Sequence, residues 1–161
     1  MRFNIVSLIA VAGLVAACGT TPTTQSGTAG GSGASTGAVS IAPGSQEDLT
    51  VNVGDRVFFD FDKYNLKNEA RAVLGKQAAW MKSNSNVKVI IEGHCDERGT
   101  REYNIALGHR RANAVYDYLL TQGVSAGQMA TTSYGKERPV DPASNDAAWA
   151  KNRRAVTMVI N

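Results

Sequence analysis

A stretch of 28 residues without a single charge, residues 19–46, limits what this chain can fold into. Twenty of the 28 are Gly, Ser, Thr or Pro, and such a composition cannot bury enough apolar surface to form a core. All acidic residues, and every basic residue except Arg2, come after this stretch. We therefore predict a flexible tether that follows a short N-terminal segment and precedes one folded domain at residues 47–161.

The N-terminal segment, residues 1–17, has the pattern of a secretory signal peptide. Arg2 precedes a 13-residue apolar run at Ile5–Ala17. As a helix this run would rise about 20 Å, which is less than the roughly 30 Å hydrocarbon core of a bilayer. The segment is therefore predicted to be a cleaved signal rather than a membrane span.

The end of this segment, Val15-Ala16-Ala17-Cys18, is similar to a bacterial lipobox, at which the chain is cut before Cys and the thiol is acylated. Several acyl chains, palmitate among them, would make anchoring through Cys18 effectively permanent. Gly19 at the next position favours the outer membrane. A plain signal peptide followed by a chance cysteine is the alternative.

Two cysteines cannot form a disulfide framework, and lipidation would leave Cys95 as the only thiol.

The charge pattern of the folded region does not indicate a nucleic-acid partner. The chain has 17 Lys and Arg against 14 Asp and Glu, a net charge of +3, and no run of five like charges.

Strand and helix patterns alternate along residues 47–161. Val57, Phe59 and Phe61 are predicted to share one face of the first strand. The order βαβαβ(α)β predicts a small α/β fold, an α+β sandwich with a mixed four-stranded sheet and helices packed on one face. The predicted elements are a strand at Asp55–Asp62, a helix at Tyr64–Met81 with Asn65 or Asn68 as N-cap, a strand at 87–92 ended by Gly93, a helix at Arg101–Leu120 closed by Gly123, a strand at Met129–Tyr134, a short helix near Asp146–Trp149 and a strand at Arg154–Ile160.

Two sequence patterns resemble catalytic motifs but have the wrong context. Residues 123–127 match G-x-S-x-G, yet they follow a predicted helix, and both histidines come earlier in the chain. The Gly-Lys pairs at 75–76 and 135–136 have Ala70 and Ala130 where a P-loop requires Gly. The sequence therefore predicts a protein that is not an enzyme, with no catalytic residues and no cofactor.

The densest polar stretch is Glu92–Thr100, between the second strand and the second helix. His94, Cys95 and Asp96 are possible metal ligands by type, but three adjacent loop residues rarely converge on one ion, so no metal is predicted. Cys95 is expected to be a small buried residue. His94 is expected to be a loop residue hydrogen-bonded to backbone.

Asp96 and Arg111 are the pair most suited to binding. The helix that begins near Arg101 points its N-terminal N–H groups toward the Asp96 loop. Arg111 lies about 80° from the apolar stripe of this helix and Arg110 nearly opposite it, with the stripe formed by Ile105, Ala112, Val115 and Leu119. Asp96 and Arg111 should line one groove without being fully buried. Alternatively they simply pair or are solvated, worth about 0–1 kcal/mol.

Five sequence blocks, in order and at compatible spacing, resemble the OmpA-like C-terminal domain family over about residues 50–161. With the lipobox and tether, the chain is similar to the lipid-anchored, peptidoglycan-associated members of that family. The blocks are Phe59–Asp62, Glu92–Thr100, Tyr103–Val115, Ser133–Gly135 and Asn152–Arg154.

This resemblance implies a non-catalytic site for the peptidoglycan peptide stem, at meso-diaminopimelate. It implies that Asp96 meets the ammonium of that residue and Arg111 one carboxylate. Backbone groups of Phe61 and Asp62 would meet the other carboxylate, and Leu107 would supply an apolar contact. The chemistry suits such a ligand, because an arginine fork binds two carboxylate oxygens.

Within the same motif, the resemblance implies that Asn104 orders the loop before the helix. Two departures are small: Arg101 stands where many relatives have Pro, and Cys95 where Ala is common.

The resemblance also implies a cellular role. The domain would face the periplasm and link the outer membrane to the wall, as part of a Tol–Pal system that maintains envelope integrity and supports cell division. A periplasmic β-propeller, TolB, would meet the surface near the same groove. The alternative is a module whose main task is docking this partner, with wall binding secondary.

Overall fold

The computed structural model describes residues 41–160. The predicted signal peptide, Cys18 and residues 19–40 of the predicted tether lie outside the described residues. In chain order the elements are α1 (Gln46–Asp48), a π-helical turn (Leu49–Val53), β1 (Arg56–Phe58), α2 (Asn68–Ser83), β2 (Lys88–His94), α3 (Arg101–Thr121), a 3₁₀ turn (Ala126–Gln128), β3 (Met129–Gly135), α4 (Asp146–Asn152) and β4 (Arg154–Ile160).

The four strands form one mixed sheet in the order β1-β4-β2-β3. β4 is antiparallel to both of its neighbours, β1 and β2, whereas β2 and β3 are parallel. A parallel pair needs a crossover connection, and α3 lies between β2 and β3 in the chain. The predicted α/β fold with a mixed four-stranded sheet is confirmed.

The core lies between the sheet and the helices α2 and α3. Apolar residues at helical spacing on α2 and α3 face alternate residues of the strands, and burial removes both sets from water. The fully buried members are Leu74 and Met81 of α2, Val89 and Ile91 of β2, and Ala112 and Leu119 of α3. None of the helices in the described part of the chain has the length and hydropathy that a bilayer crossing requires.

Two glycines let α3 pack directly on the sheet. A Cβ on Gly93 of β2 would lie 1.9 Å from the carbonyl oxygen of Gly108, and a Cβ on Gly108 would lie 2.1 Å from Ser133 Oγ. Any side chain at either position would therefore force α3 away from β2. This close approach fixes the position of Arg111, which follows Gly108 by three residues, nearly one helical turn.

The predicted helices and strands agree with the structure along most of the domain. The α3 helix begins at Arg101 and ends one residue beyond the prediction, and β4 has the predicted bounds. The N-cap prediction for the first long helix was wrong. Lys67, in an extended conformation, precedes α2, and its side chain makes no cap hydrogen bond.

The prediction that Phe61 shares the buried face of the first strand was also wrong. Val57 and Phe59 are buried, but β1 ends at Phe58 and Phe61 is 57% exposed. The chain turns directly after it, where Asp62 adopts a left-handed backbone with φ of 55°. The alternation of a strand therefore stops before Phe61, and this ring lies at the surface.

A short segment before β1, which the sequence did not predict, contacts α2 and β4. Leu49 is fully buried, and the Trp80 indole N–H donates to Asp48 at 2.8 Å. The side-chain oxygen of Gln46 accepts from the backbone N–H of Val159 at 2.7 Å.

Candidate functional site

A groove of about 160 Å³ lies where β2 ends and α3 begins. All five residues that the resemblance implied as ligand contacts lie in its wall. The lining residues are Phe61, Asp62, Cys95, Asp96, Arg98, Gly99, Tyr103, Asn104, Leu107 and Arg111.

The guanidinium of Arg111 is held by three backbone carbonyls. It donates through Nε to Lys63 O at 2.9 Å, through Nη1 to His94 O at 2.8 Å and through Nη2 to Asp60 O at 3.2 Å. The ring of Phe59 lies 5.2 Å from its carbon Cζ. A guanidinium has five N–H groups, so two remain for a ligand.

The expectation that Asp96 and Arg111 escape full burial was wrong. Arg111 is 1% exposed and Asp96 is 4% exposed. Helical spacing correctly put Arg111 at the edge of the apolar stripe, but chain segments from before α2 and from the end of β2 cover it. Burial lowers the pKa of Arg111 from its usual value.

The carboxylate of Asp96 is surrounded by two arginines rather than by Arg111. Arg98 donates to it through its backbone N–H at 3.2 Å, through Nε at 3.3 Å and through Nη2 at 2.7 Å. Arg153 adds Nη1 at 3.2 Å. Burial alone would raise the pKa of Asp96, but these hydrogen bonds outweigh it and hold the pKa below its ordinary value. Asp96 is therefore ionised at neutral pH.

Arg98 lines the groove and Arg153 contacts the Asp96 carboxylate beside it, and neither contact was predicted from the sequence. The Arg98 guanidinium lies between two aromatic rings, 4.0 Å from the centre of Phe61 and 4.0 Å from that of Trp149. Arg153 also donates through Nε to Phe59 O at 3.1 Å. Both arginines stand inside the blocks that carry the family resemblance, which is the only signal for them in the sequence.

The loop between β2 and α3 is held in place by side chains of its own surroundings. Asn104 donates to Arg98 O at 2.8 Å and to Thr100 O at 3.0 Å, which confirms its predicted role. Thr100 is the N-cap of α3 and accepts from the backbone N–H of Tyr103. Lys136 donates to the carbonyls of Glu97 and Gly99. The groove is therefore preformed on its loop side.

The opposite rim is formed by the turn after β1. The Tyr103 hydroxyl donates to the carboxylate of Asp62, which ties this turn to α3. Leu107, 4% exposed, lies on the wall contributed by α3.

The two other candidates of the polar stretch are buried but not alike. Cys95 is 3% exposed, as predicted, and burial raises its pKa to about 11. His94 is the last residue of β2, and its ring nitrogens have no hydrogen-bond partner among the described residues. The prediction of a hydrogen-bonded loop histidine was therefore wrong.

The groove holds charges of both signs. Its wall carries two guanidinium groups, those of Arg98 and Arg111, and two carboxylates, those of Asp62 and Asp96. Arg153 adds a third guanidinium, which contacts Asp96 from beside the wall. Within residues 41–160 no cluster of three or more His, Cys, Asp or Glu could hold a metal ion.

A larger groove of about 540 Å³ lies beside β1 and α2. Its exposed cations are already neutralised: Arg56 contacts Asp55 at 2.7 Å, Lys67 contacts Asp60 at 2.9 Å, and Lys151 contacts Asp141 at 2.8 Å. Exposed pairs of this kind contribute little to recognition or stability. The smaller groove, with its buried charges, is the better candidate site.

Comparison with known proteins places this geometry in a family. The OmpA family matches residues 58–153. The peptidoglycan-associated lipoprotein of Rhizobium meliloti (strain 1021) is 54% identical over 123 residues, which are 76% of this chain and 70% of that protein. The protein of the same name from Haemophilus influenzae is 44% identical over 154 residues, covering 95% of this chain and 97% of that protein.

A solved structure gives the same result. The crystal structure of the peptidoglycan-associated lipoprotein from Burkholderia pseudomallei superposes with a TM-score of 0.65 at 43% identity, and covers 66% of this chain and 90% of that one.

Proposed function

The chain belongs to the OmpA family, and we propose that it is a non-catalytic outer-membrane lipoprotein that binds the diaminopimelate-containing stem of peptidoglycan. It thereby links the outer membrane to the cell wall, within a Tol–Pal system that maintains envelope integrity and supports cell division. The observation that carries this proposal is the buried carboxylate of Asp96 in one groove with the buried guanidinium of Arg111.

The charges of the groove complement such a ligand. The free part of a diaminopimelate residue at the end of a stem carries one ammonium and two carboxylates, a net charge of −1. The groove offers Asp96 for the ammonium and the two remaining N–H groups of Arg111 for a carboxylate. The backbone at Phe61-Asp62 meets the second carboxylate, and Leu107 contacts the methylene chain.

Modest affinity suffices for this task. Each charge-assisted hydrogen bond contributes about 1.5–3 kcal/mol. A domain anchored at the membrane beside a polymeric wall meets its ligand at high effective concentration, so a few such contacts hold the two together.

Acylation at Cys18 is the proposed anchor, with the domain in the periplasm. Replacing Cys18→Ser should abolish acylation and release the protein from the membrane. A Cys18→Ser protein that still sediments with outer membranes after washing in high salt and urea would contradict the anchor.

Wall binding is tested by sedimentation of the full chain with purified sacculi. Asp96→Asn should lose most of the sedimented fraction, because a neutral amide cannot pair with the ammonium. Asp117→Asn, the same change at an exposed position on α3, is the matched control. Equal sedimentation of all three proteins would refute the site. Muropeptides released from the same sacculi, above the level in buffer, would instead indicate an enzyme.

The second candidate function is docking of TolB near the same groove, with wall binding secondary. The exposed rim favours a protein contact, because Phe61 and Tyr103 are large and largely exposed beside the groove. Competition between sacculi and TolB for the full chain distinguishes a shared surface from separate ones.

A further inference from the structure

The carboxylate of Asp96 has no free place for a ligand ammonium in this structure. A carboxylate offers about four acceptor positions. Arg98 occupies three of them, and Arg153 occupies the fourth. Any cation that binds Asp96 must first displace one of these arginines.

Arg98 is the arginine that can leave. Its side chain is 33% exposed, against 15% for Arg153, whose Nε also bonds the carbonyl oxygen of Phe59. Among the described residues, the Arg98 guanidinium has no hydrogen bond or ion pair other than those to Asp96, and it lies against the faces of the Phe61 and Trp149 rings. Such partly exposed cation–π contacts are weak enough to open.

We propose that Arg98 is an internal competitor of the ligand, an affinity-determining residue that fills the ammonium position of Asp96 until the ligand displaces it. The inference rests on the proposed function of the groove and adds to it how the empty site is kept closed. A buried carboxylate without a cation would destabilise the empty domain. Arg98 and Arg153 together prevent this, and the ligand has to displace the Arg98 side chain.

This arrangement has an unusual consequence for mutation. A residue that contacts the ligand weakens binding when truncated, whereas a competitor strengthens it. Truncating Arg98 to Ala leaves Asp96 with Arg153 and the backbone N–H of residue 98, and opens the two acceptor positions that the guanidinium filled. Without the contact between the Arg98 guanidinium and Asp96, the ligand should bind about fivefold tighter. That is the change in affinity expected when a partly exposed ion pair with aromatic contacts no longer has to be broken.

The test is calorimetry of the full chain in detergent with the tripeptide L-Ala–γ-D-Glu–meso-diaminopimelate. Arg98→Ala should bind about fivefold tighter than wild type. Arg98→Lys should lie between them, because a point charge makes a weaker pair than a bidentate fork. Arg101→Ala, an exposed arginine of the same region that pairs with Glu137, is the control and should bind as wild type.

A spectroscopic readout follows the competitor itself. The fluorescence of Trp149 should change when the tripeptide drives the Arg98 guanidinium off its ring, and Arg98→Ala should show no such change. Trp80 is a constant background, since its ring is buried and bonded to Asp48.

The outcomes separate the two levels of the argument. Wild type that binds while Arg98→Ala binds equally or more weakly overturns the competitor and leaves the proposed function standing. Absence of binding to wild type and to every variant overturns both. Tighter binding by Arg98→Ala, with unchanged affinity of Arg101→Ala, supports the competitor.

Discussion

Asp96 and His94 are two residues apart and almost equally buried, but they differ in hydrogen bonding and in charge. Asp96 is given four hydrogen bonds from arginines and keeps its charge. The His94 ring lies 5.6 Å from the Tyr134 ring and finds no hydrogen-bond partner in the part of the chain that the structure describes. Its Nε2 is 3.4 Å from a carboxylate oxygen of Glu92 but lacks the geometry of a hydrogen bond.

The difference shows what burial does to an ionisable group. Without hydrogen-bond partners, the neutral form of a buried group is favoured. Burial, with the nearby charges of Arg154, Arg138 and Arg56, lowers the pKa of His94 to about 3. With hydrogen-bond partners, as at Asp96, the charged form is retained. The Asp96 side of this loop is therefore suited to binding charge, and the His94 side is suited only to packing.

The largest expected effect is acid destabilisation through His94. The folded state has a pKa of about 3 and the unfolded chain one of 6.5, so only the unfolded state takes up the proton between these values. The stabilisation is complete above pH 6.5 and is lost as the pH falls toward 3, a total of roughly 4–5 kcal/mol. Urea unfolding at pH 7, 5.5 and 4 measures this slope.

Replacement of the ring isolates the effect. His94→Phe keeps an aromatic ring in the same space and should flatten the pH dependence between 6.5 and 4. His109→Gln, at an exposed position on α3, removes the other histidine of the chain and should leave the slope unchanged. A slope that survives His94→Phe would mean that the histidine is not held neutral.

The second effect is on stability through Arg111. Arg111→Ala leaves three carbonyl oxygens without their donor and a cavity behind α3, and should cost about 3–4 kcal/mol of unfolding free energy. Arg111→Lys should recover only part of it, because an ammonium cannot reach three diverging acceptors. Thermal and urea unfolding at pH 7 measure both variants. An unchanged midpoint for Arg111→Ala would show that its burial contributes nothing.

The burial of Arg111 marks the limit of prediction from the sequence. Helical spacing located Arg111 at the edge of the stripe on α3, because that depends on residues of one element. The oxygens that hold it belong to Asp60, Lys63 and His94, which lie 51, 48 and 17 residues away. No local pattern in the sequence encodes contacts between segments so far apart. Asp96 and Arg111 were therefore expected to be partly exposed, whereas the fold buries both.

The difference between local patterns and contacts of distant segments also explains which other features could be predicted from the sequence. The bounds of α3 and β4 follow from periodicity within each element, and the sequence predicted both. The turn at Leu49–Val53 packs against α2, an element that begins 15 residues later in the chain, and it was missed. At the site, the residue types of the groove were predicted from the family blocks. The contacts of Arg98 and Arg153 with Asp96 require the loop to be folded back, and no spacing reveals them.

The third effect is on binding through Asp96. Asp96→Asn should cost roughly 2–3 kcal/mol of binding to the diaminopimelate tripeptide, a 30–150-fold loss in affinity, since the ligand ammonium loses its charged partner. Calorimetry beside a thermal melt measures it. Loss of binding in step with loss of the folded state would assign Asp96 a structural role alone.

The smallest expected effect is that of Arg110, and it decides whether the contrast between paired and unpaired burial matters for binding. Arg110 follows Arg111 directly and has the same charge, but it is exposed, 6.0 Å from the centre of the Tyr64 ring. About 100° of helical rotation separates neighbouring residues, so the two side chains leave α3 on different sides.

Arg110→Ala should change the free energy of unfolding by less than about 0.5 kcal/mol. Affinity for the tripeptide should stay within about twofold. Arg111→Lys, which keeps the positive charge, should nevertheless lose most of the affinity, because an ammonium cannot replace the planar fork. Both variants are measured by the same calorimetric titration at 0.15 M salt, where exposed charges are screened beyond about 8 Å. Equal losses at both positions would mean that a diffuse basic surface binds the ligand, and burial of Arg111 among carbonyls would then serve the fold alone.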